Sequence, residues 1–174
     1  MARLPYADLN HPDVRPLVEQ IVAERGSVLH LYQMLLHSPE VARGWLSHLT
    51  GIRQRSTLSG KLREMVIMRI AILNGAPYEA DQHAPIALKE GMTQGQLDAL
   101  DQWETSTVFN EQERAVLAYT DAMTRHLHVP QEVFAAVKPH FDARRLVELT
   151  ATIATYNMVA RFLEALEIQS DDVR

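Results

Sequence analysis

Met65-Val66-Ile67-Met68-Arg69-Ile70-Ala71-Ile72-Leu73-Asn74-Gly75-Ala76-Pro77 holds the strongest structural signal in the chain. From Met65 to Leu73 it is apolar on nearly every side of a helix, with Arg69 as the interruption, which marks an enclosed central helix and not a surface one. Asn74-Gly75 supplies a stop. Ala76-Pro77 then restarts the chain with proline at a first-turn position, where its missing N–H costs little. The spacing predicts a helix over 61–74, a tight turn, and a second helix folded back from Pro77 toward Gly91. Pro85 removes one hydrogen bond of that second helix and is expected to kink or divide it.

Outward from this hairpin, no stretch alternates apolar and polar residues for long enough to make a strand, while helical spacing recurs throughout, so the expected fold class is all-α. A long opening helix over 14–36 carries Leu17, Ile21, Val28, Leu31 and Leu35, with Gly26 as a candidate interruption. A second helix over 40–49 is closed by Gly51. Thr93 with Gln96, and Asn110 with Glu113, have the capping-box pattern and open two more helices, separated by a loop over 101–109. A short helix over 131–137 precedes the last one, where Leu146, Leu149, Ile153, Tyr156, Ala160 and Leu163 trace one apolar stripe. There is also a faint internal echo: Leu62-Arg63-Glu64 introduces a helix containing Asn74 much as Leu146-Val147-Glu148 introduces one containing Asn157.

With 174 residues, 47% apolar and 22% charged, the chain suits one globular domain over 1–174. A net charge of −5 without a dense Lys/Arg run gives no footprint for nucleic acid. The longest nearly apolar run falls well short of the ~20 residues of a membrane span. The first residues lack a signal core, so a cytoplasmic location is expected. There are no cysteines, which excludes disulfides, thiolate metal sites and thiol redox chemistry.

The segment Leu62-Arg63-Glu64, Asn74-Gly75-Ala76-Pro77-Tyr78-Glu79-Ala80-Asp81-Gln82-His83 and Ala87 to Gly91 resembles, without gaps, the signature region of the carboxymuconolactone decarboxylase/alkylhydroperoxidase D superfamily. There a glutamate on the central helix is followed nineteen positions later by a histidine, as Glu64 is by His83. The resemblance weakens toward Tyr156-Asn157-Met158 and Arg161-Phe162 and covers roughly residues 15–168. It implies an all-helical alkylhydroperoxidase D-like bundle, a homo-oligomer (trimer or hexamer), and a proton relay through Glu64 and His83. The Ile67/Ile70 side of the central helix or the N-terminal helix would be the contact surface between copies. The alkylhydroperoxidase D branch would place cysteines where this chain has Ala76 and Glu79. Tyr78-Glu79 is closer to the decarboxylase branch, although Ala80 stands where tryptophan is frequent.

Read without the family, each residue also has a plainer explanation. Glu79 and His83, four apart, face each other on one helix and could be a solvated pair. Glu64 could be an N-terminal acid complementing the helix dipole, or a carboxylate inside an apolar helix that needs a partner, since stranding it costs several kcal/mol. Arg69, about 140° around the helix, is poorly placed to be that partner. If the Gly75 turn brings Glu64, Glu79 and His83 together, two carboxylates around one imidazole favour its protonated form and yield a donor and an acceptor near neutral pH. Such a site needs no metal and no organic cofactor, and the family resemblance implies a small-molecule substrate for it, a carboxylated lactone or similar acid. Its chemistry would be loss of CO2 from a poorly hydrated carboxylate and protonation of the dienolate left behind. His83 would be the donor, Glu64 its orienting base, Glu79 an alternate acid/base and Tyr78 a substrate hydrogen-bond donor. His126 and His128 read as surface residues, Met65 and Met68 as core filling. No Gly-x-Ser-x-Gly elbow supports a serine triad.

Overall fold

The computed structural model describes residues 1–172, and these form helices α1 (Arg15–Arg25), α2 (His30–Leu35), α3 (Pro39–Thr50), α4 (Gly60–Asn74), α5 (Pro77–Lys89), α6 (Gln94–Ala99), α7 (Glu111–Arg125), α8 (Gln131–Val137) and α9 (Ala143–Leu166). The expected all-α class holds. No described helix is long and apolar enough to cross a membrane. The chain gathers into two compact units, one spanning Ser56–Phe162 and the other holding Met1–Arg55 with the chain from Leu163 onward.

In the N-terminal unit the expected long helix is two. Gly26 takes a left-handed backbone (φ 82°) and ends α1, its N–H closing on the Val22 carbonyl at 2.8 Å. α3 ends at Thr50 with Gly51 as its C-cap, as expected, but Gly51 keeps right-handed helical geometry and carries the chain on into a π-helical turn over Gly51–Arg55. Glycine breaks the helical path by turning left-handed, and here it does not.

In the unit over Ser56–Phe162, α4 is the centre, packed chiefly against α5 and α7. Ser59 caps it by accepting from the Leu62 N–H at 3.3 Å, and every residue from Leu62 to Ala71 is buried. Ile67 and Ile70 are therefore occupied inside the chain and cannot form the contact surface between copies suggested above. The helix ends at Gly75 (φ 60°, ψ 41°), with the Ala76 N–H returning to the Ala71 carbonyl at 2.9 Å. Pro77 then begins α5. Pro85 does not divide α5: it lies on the exposed side, and the carbonyl its ring leaves unpaired belongs to exposed Asp81, within reach of solvent. Both capping boxes form, at Thr93/Gln96 and Asn110/Glu113. On α9, Leu149, Ile153, Tyr156, Ala160 and Leu163 are buried and Leu146 half-buried.

Arg69 crosses the core to α7. Its Nε and Nη2 donate to the two oxygens of Asp121, each at 2.6 Å, and its Nη1 donates to the Leu100 carbonyl at 2.9 Å. Trp103 adds an indole N–H to Asp121 at 3.3 Å. The one charge in the apolar run is thus fully engaged on the side of α4 away from Glu64.

Candidate proton-transfer site

Glu64 is the fifth residue of α4, beyond the first turn where a helix dipole has most effect, and its side chain is wholly buried. A carboxylate in that position persists only if both oxygens are met. They are: Oε2 accepts from His83 Nδ1 at 2.6 Å, and Oε1 accepts from Arg63 Nε at 3.0 Å. The Gly75 turn makes this possible by laying α5 back along α4, so that residues nineteen apart in sequence share one hydrogen bond.

His83 and Glu79 sit one turn apart on α5, with His83 Nε2 3.5 Å from Glu79 Oε2. That is ion-pair range and longer than a good hydrogen bond. His83 is 8% exposed and Glu79 4%, so they are not a solvated surface pair. The Tyr156 ring of α9 stands edge-on to the imidazole, with centroids 5.3 Å apart and planes at 88°. Tyr78 is buried in the first turn of α5, beside Glu79 in sequence.

An ionised Glu64 can only accept, which places a proton on Nδ1 and leaves Nε2, on the Glu79 side, as the nitrogen that can exchange one. The arrangement is a buried carboxylate–imidazole–carboxylate line able to hold an imidazolium and hand its proton on.

All three residues singled out for acid/base work therefore meet. Sequence reasoning missed Arg63 and Tyr156 as neighbours of the site. Arg63 adjoins Glu64 in the chain, and consecutive helical residues do not normally face each other. Tyr156 was legible only as part of the α9 core stripe. His126 and His128 are exposed beyond the end of α7, and among the described residues no group of three or more His, Asp or Glu side chains is placed to hold a metal ion.

Comparison with known proteins puts these residues in context. The model of the carboxymuconolactone decarboxylase family matches residues 39–122, which include Glu64, Tyr78, Glu79 and His83. The uncharacterized protein YnjA of Escherichia coli (strain K12) is 33% identical over 129 residues, which cover 72% of this chain and 66% of that protein. Among solved structures, a protein of unknown function from Agrobacterium tumefaciens, described with the AhpD antioxidant-defence proteins, superposes with a TM-score of 0.75 at 25% identity, covering 80% of this chain and 96% of its own. A cysteine-to-alanine variant of the debrominase Bmp8, in complex with 2,3,4-tribromopyrrole, gives 0.80 at 21% identity over 96% of this chain and 90% of its own, a likeness of fold.

Proposed function

The chain belongs to the carboxymuconolactone decarboxylase/alkylhydroperoxidase D-like superfamily, and from that premise we propose that it is a cofactor-independent acid/base enzyme, a lyase or isomerase for a carboxylated lactone or related small organic acid. The observation that carries this reading is the buried 2.6 Å contact between Glu64 Oε2 and His83 Nδ1, with Glu79 across the ring.

In the decarboxylation the carbon–carbon bond to the carboxyl group breaks, CO2 leaves, and the electron pair passes into a dienolate. His83, as the imidazolium, gives its Nε2 proton to that carbanionic carbon. Glu64 stabilises the imidazolium and fixes its orientation, and Glu79 returns a proton from water to Nε2. Tyr78 donates a hydrogen bond to a substrate oxygen. Proton transfer by one positioned group of this kind contributes about 10²- to 10⁴-fold in rate. Arg63 is already engaged by Glu64 and Glu90, so its guanidinium does not have to solvate the departing carboxylate. A substrate carboxylate left poorly hydrated near acidic groups is relieved by its own loss as CO2. The protein would act in the cytoplasm, as a homo-oligomer of three or six copies.

The likeness to antioxidant-defence proteins raises a second reading, a hydroperoxide reductase. Thiol-based reduction holds its electrons in a cysteine pair, and this chain has Ala76 and Glu79 at the corresponding positions and no cysteine elsewhere. A ligand-binding oligomer without chemistry is the third reading.

The three separate in one experiment. The protein is incubated in D2O with a panel of unsaturated carboxylated lactones and keto acids, and in parallel with an alkyl hydroperoxide and a dithiol. CO2 release with one solvent deuteron in the product supports the acid/base reading, as does deuterium wash-in with isomerisation. Hydroperoxide turnover without lactone turnover contradicts it, and binding without turnover in either arm leaves the ligand-binding oligomer.

A further inference from the structure

We infer that Arg63, braced by Glu90, is a positioning residue for the proton-transfer pair, acting on His83 through Glu64 and not on substrate; the inference rests on the acid/base reading of that pair. Arg63 Nε lies 3.0 Å from Glu64 Oε1, while the other oxygen of the same carboxylate faces His83 Nδ1. A cation on one oxygen and an imidazole on the other oppose uptake of a proton by Glu64. The proton stays on the ring, the tautomer is fixed, and Nε2 is left as the exchanging nitrogen.

Neighbouring residues on a helix point in different directions, so Arg63 reaches Glu64 only by turning its guanidinium back. Glu90, just past the end of α5, is placed to hold it turned: Oε1 lies 3.5 Å from Arg63 Nη2. The Arg63 side chain is 10% exposed and that of Glu90 39%, so the line of charges runs from the buried pair toward the surface.

Gly60 supplies an independent observation. It is the first residue of α4, a position most residues can occupy on helical grounds, yet a Cβ there would collide with the Glu90 carboxylate. The missing side chain makes room for Glu90 beside Arg63. Because the colliding atoms are the far end of a flexible, partly exposed side chain, a methyl group at this position displaces Glu90 without unfolding the helix.

Around His83 stand Glu64 from α4, Glu79 on its own helix and Tyr156 from α9, with Arg63 on the far oxygen of Glu64 and Glu90 beyond Arg63. On α7, Asp121 is bound to Arg69, and Arg125 lies within 3.8 Å of the same carboxylate.

The test is the titration of His83 by ¹⁵N NMR in the full chain and in R63Q, R63K, E90Q and G60A. Loss of the cation in R63Q raises the macroscopic steps of the coupled pair by about one pH unit or more, and R63K recovers much of the shift. The brace makes a sharper demand. Removing an acid through space alone would lower the steps, whereas releasing Arg63 from Glu64 raises them. E90Q and G60A are therefore expected to shift the steps upward, by less than R63Q does.

An unmoved titration in folded R63Q overturns the role of Arg63, and a downward or absent shift in E90Q and G60A overturns the brace. Should R63Q fail to fold, R63K, E90Q and G60A still decide. The titration needs no substrate, so its failure is distinct from failure of the enzymatic reading. Shifts as expected with no lactone turnover would sink the latter alone, and unmoved shifts with turnover lost in H83Q would sink the former alone.

Discussion

Asn74 and Asn157 meet side chain to side chain, Nδ2 of Asn74 donating to Oδ1 of Asn157 at 3.1 Å. These are the two positions that echo each other in the sequence, one at the end of α4 and the other in the middle of α9. Asn157 also donates to Thr124 Oγ1 and to the Ile153 carbonyl, both at 3.0 Å, and so ties α4, α7 and α9 at one point. Truncation leaves several of these partners unmet. N157A is expected to lower the unfolding free energy by about 1–3 kcal/mol, read as a lower urea midpoint with an unchanged slope.

The two glutamates of the echo have different partners. Glu64 faces His83, whereas Glu148 accepts from the Thr57 hydroxyl at 2.7 Å and the Thr57 N–H at 2.8 Å. Burial acts to raise the Glu148 pKa, but the bonds from Thr57 and the nearby Arg144 outweigh it and hold the carboxyl below its ordinary value. A lowered folded-state pKa gives stability that is present above the unfolded value, about 4.3, and is lost as pH falls through the lower folded value. T57V, which removes the hydroxyl and keeps the N–H, should cost about 1 kcal/mol near pH 7. That gap should close as the medium is acidified below about pH 4. A gap of constant size from pH 3 to pH 7 would show that Glu148 ionisation is not involved.

The two-armed contact of Arg69 with Asp121 gives a larger expected effect. Replacing the guanidinium by an apolar chain in R69M leaves a nearly buried carboxylate with only the Trp103 N–H and the more distant Arg125, at a cost of up to about 3–5 kcal/mol. Replacing both partners with apolar residues should recover much of this, because the desolvation of the two charges disappears together. Denaturant unfolding of R69M and of R69M/D121L checks both halves of the statement.

Much of this was readable from residue order, and the exceptions have physical causes. The central hairpin was legible because Asn74-Gly75 and Pro77 punctuate an otherwise apolar run, and the two capping boxes because their partners are three residues apart. The meeting of Glu64 and His83 was implied by the family resemblance, and that hairpin makes it possible. Arg63 was not legible as a neighbour of Glu64, since adjacency in a helix argues against contact and the brace at Glu90 is remote in sequence. Gly26 and Gly51 look alike in a sequence, yet one turns left-handed and the other stays helical. That Pro85 would not divide α5 was not legible, because the cost of a helical proline depends on whether the orphaned carbonyl sees water, which order alone does not reveal. The Ile67/Ile70 face misled because an apolar face reads the same whether its own chain or a second copy covers it.

The turn itself can be tested at Gly75, whose φ of 60° is unfavourable for a residue with a Cβ. G75A should destabilise by about 1 kcal/mol. By disturbing the angle between α4 and α5 it should lower turnover more than its effect on stability implies. G26A, at the other left-handed helix end, should cost similar stability and leave turnover unchanged, which a side-by-side assay of the two variants reads directly.

In the proposed reaction the imidazole of His83, oriented by Glu64, delivers a proton to the substrate carbon. The most direct measurement is the rate of CO2 release from the best lactone substrate by wild type, H83Q and E64Q, each verified as folded by its thermal midpoint. A fall in kcat of about 100-fold or more in H83Q, with a comparable fall in E64Q, is the predicted result. Turnover in H83Q within a few-fold of wild type would contradict it.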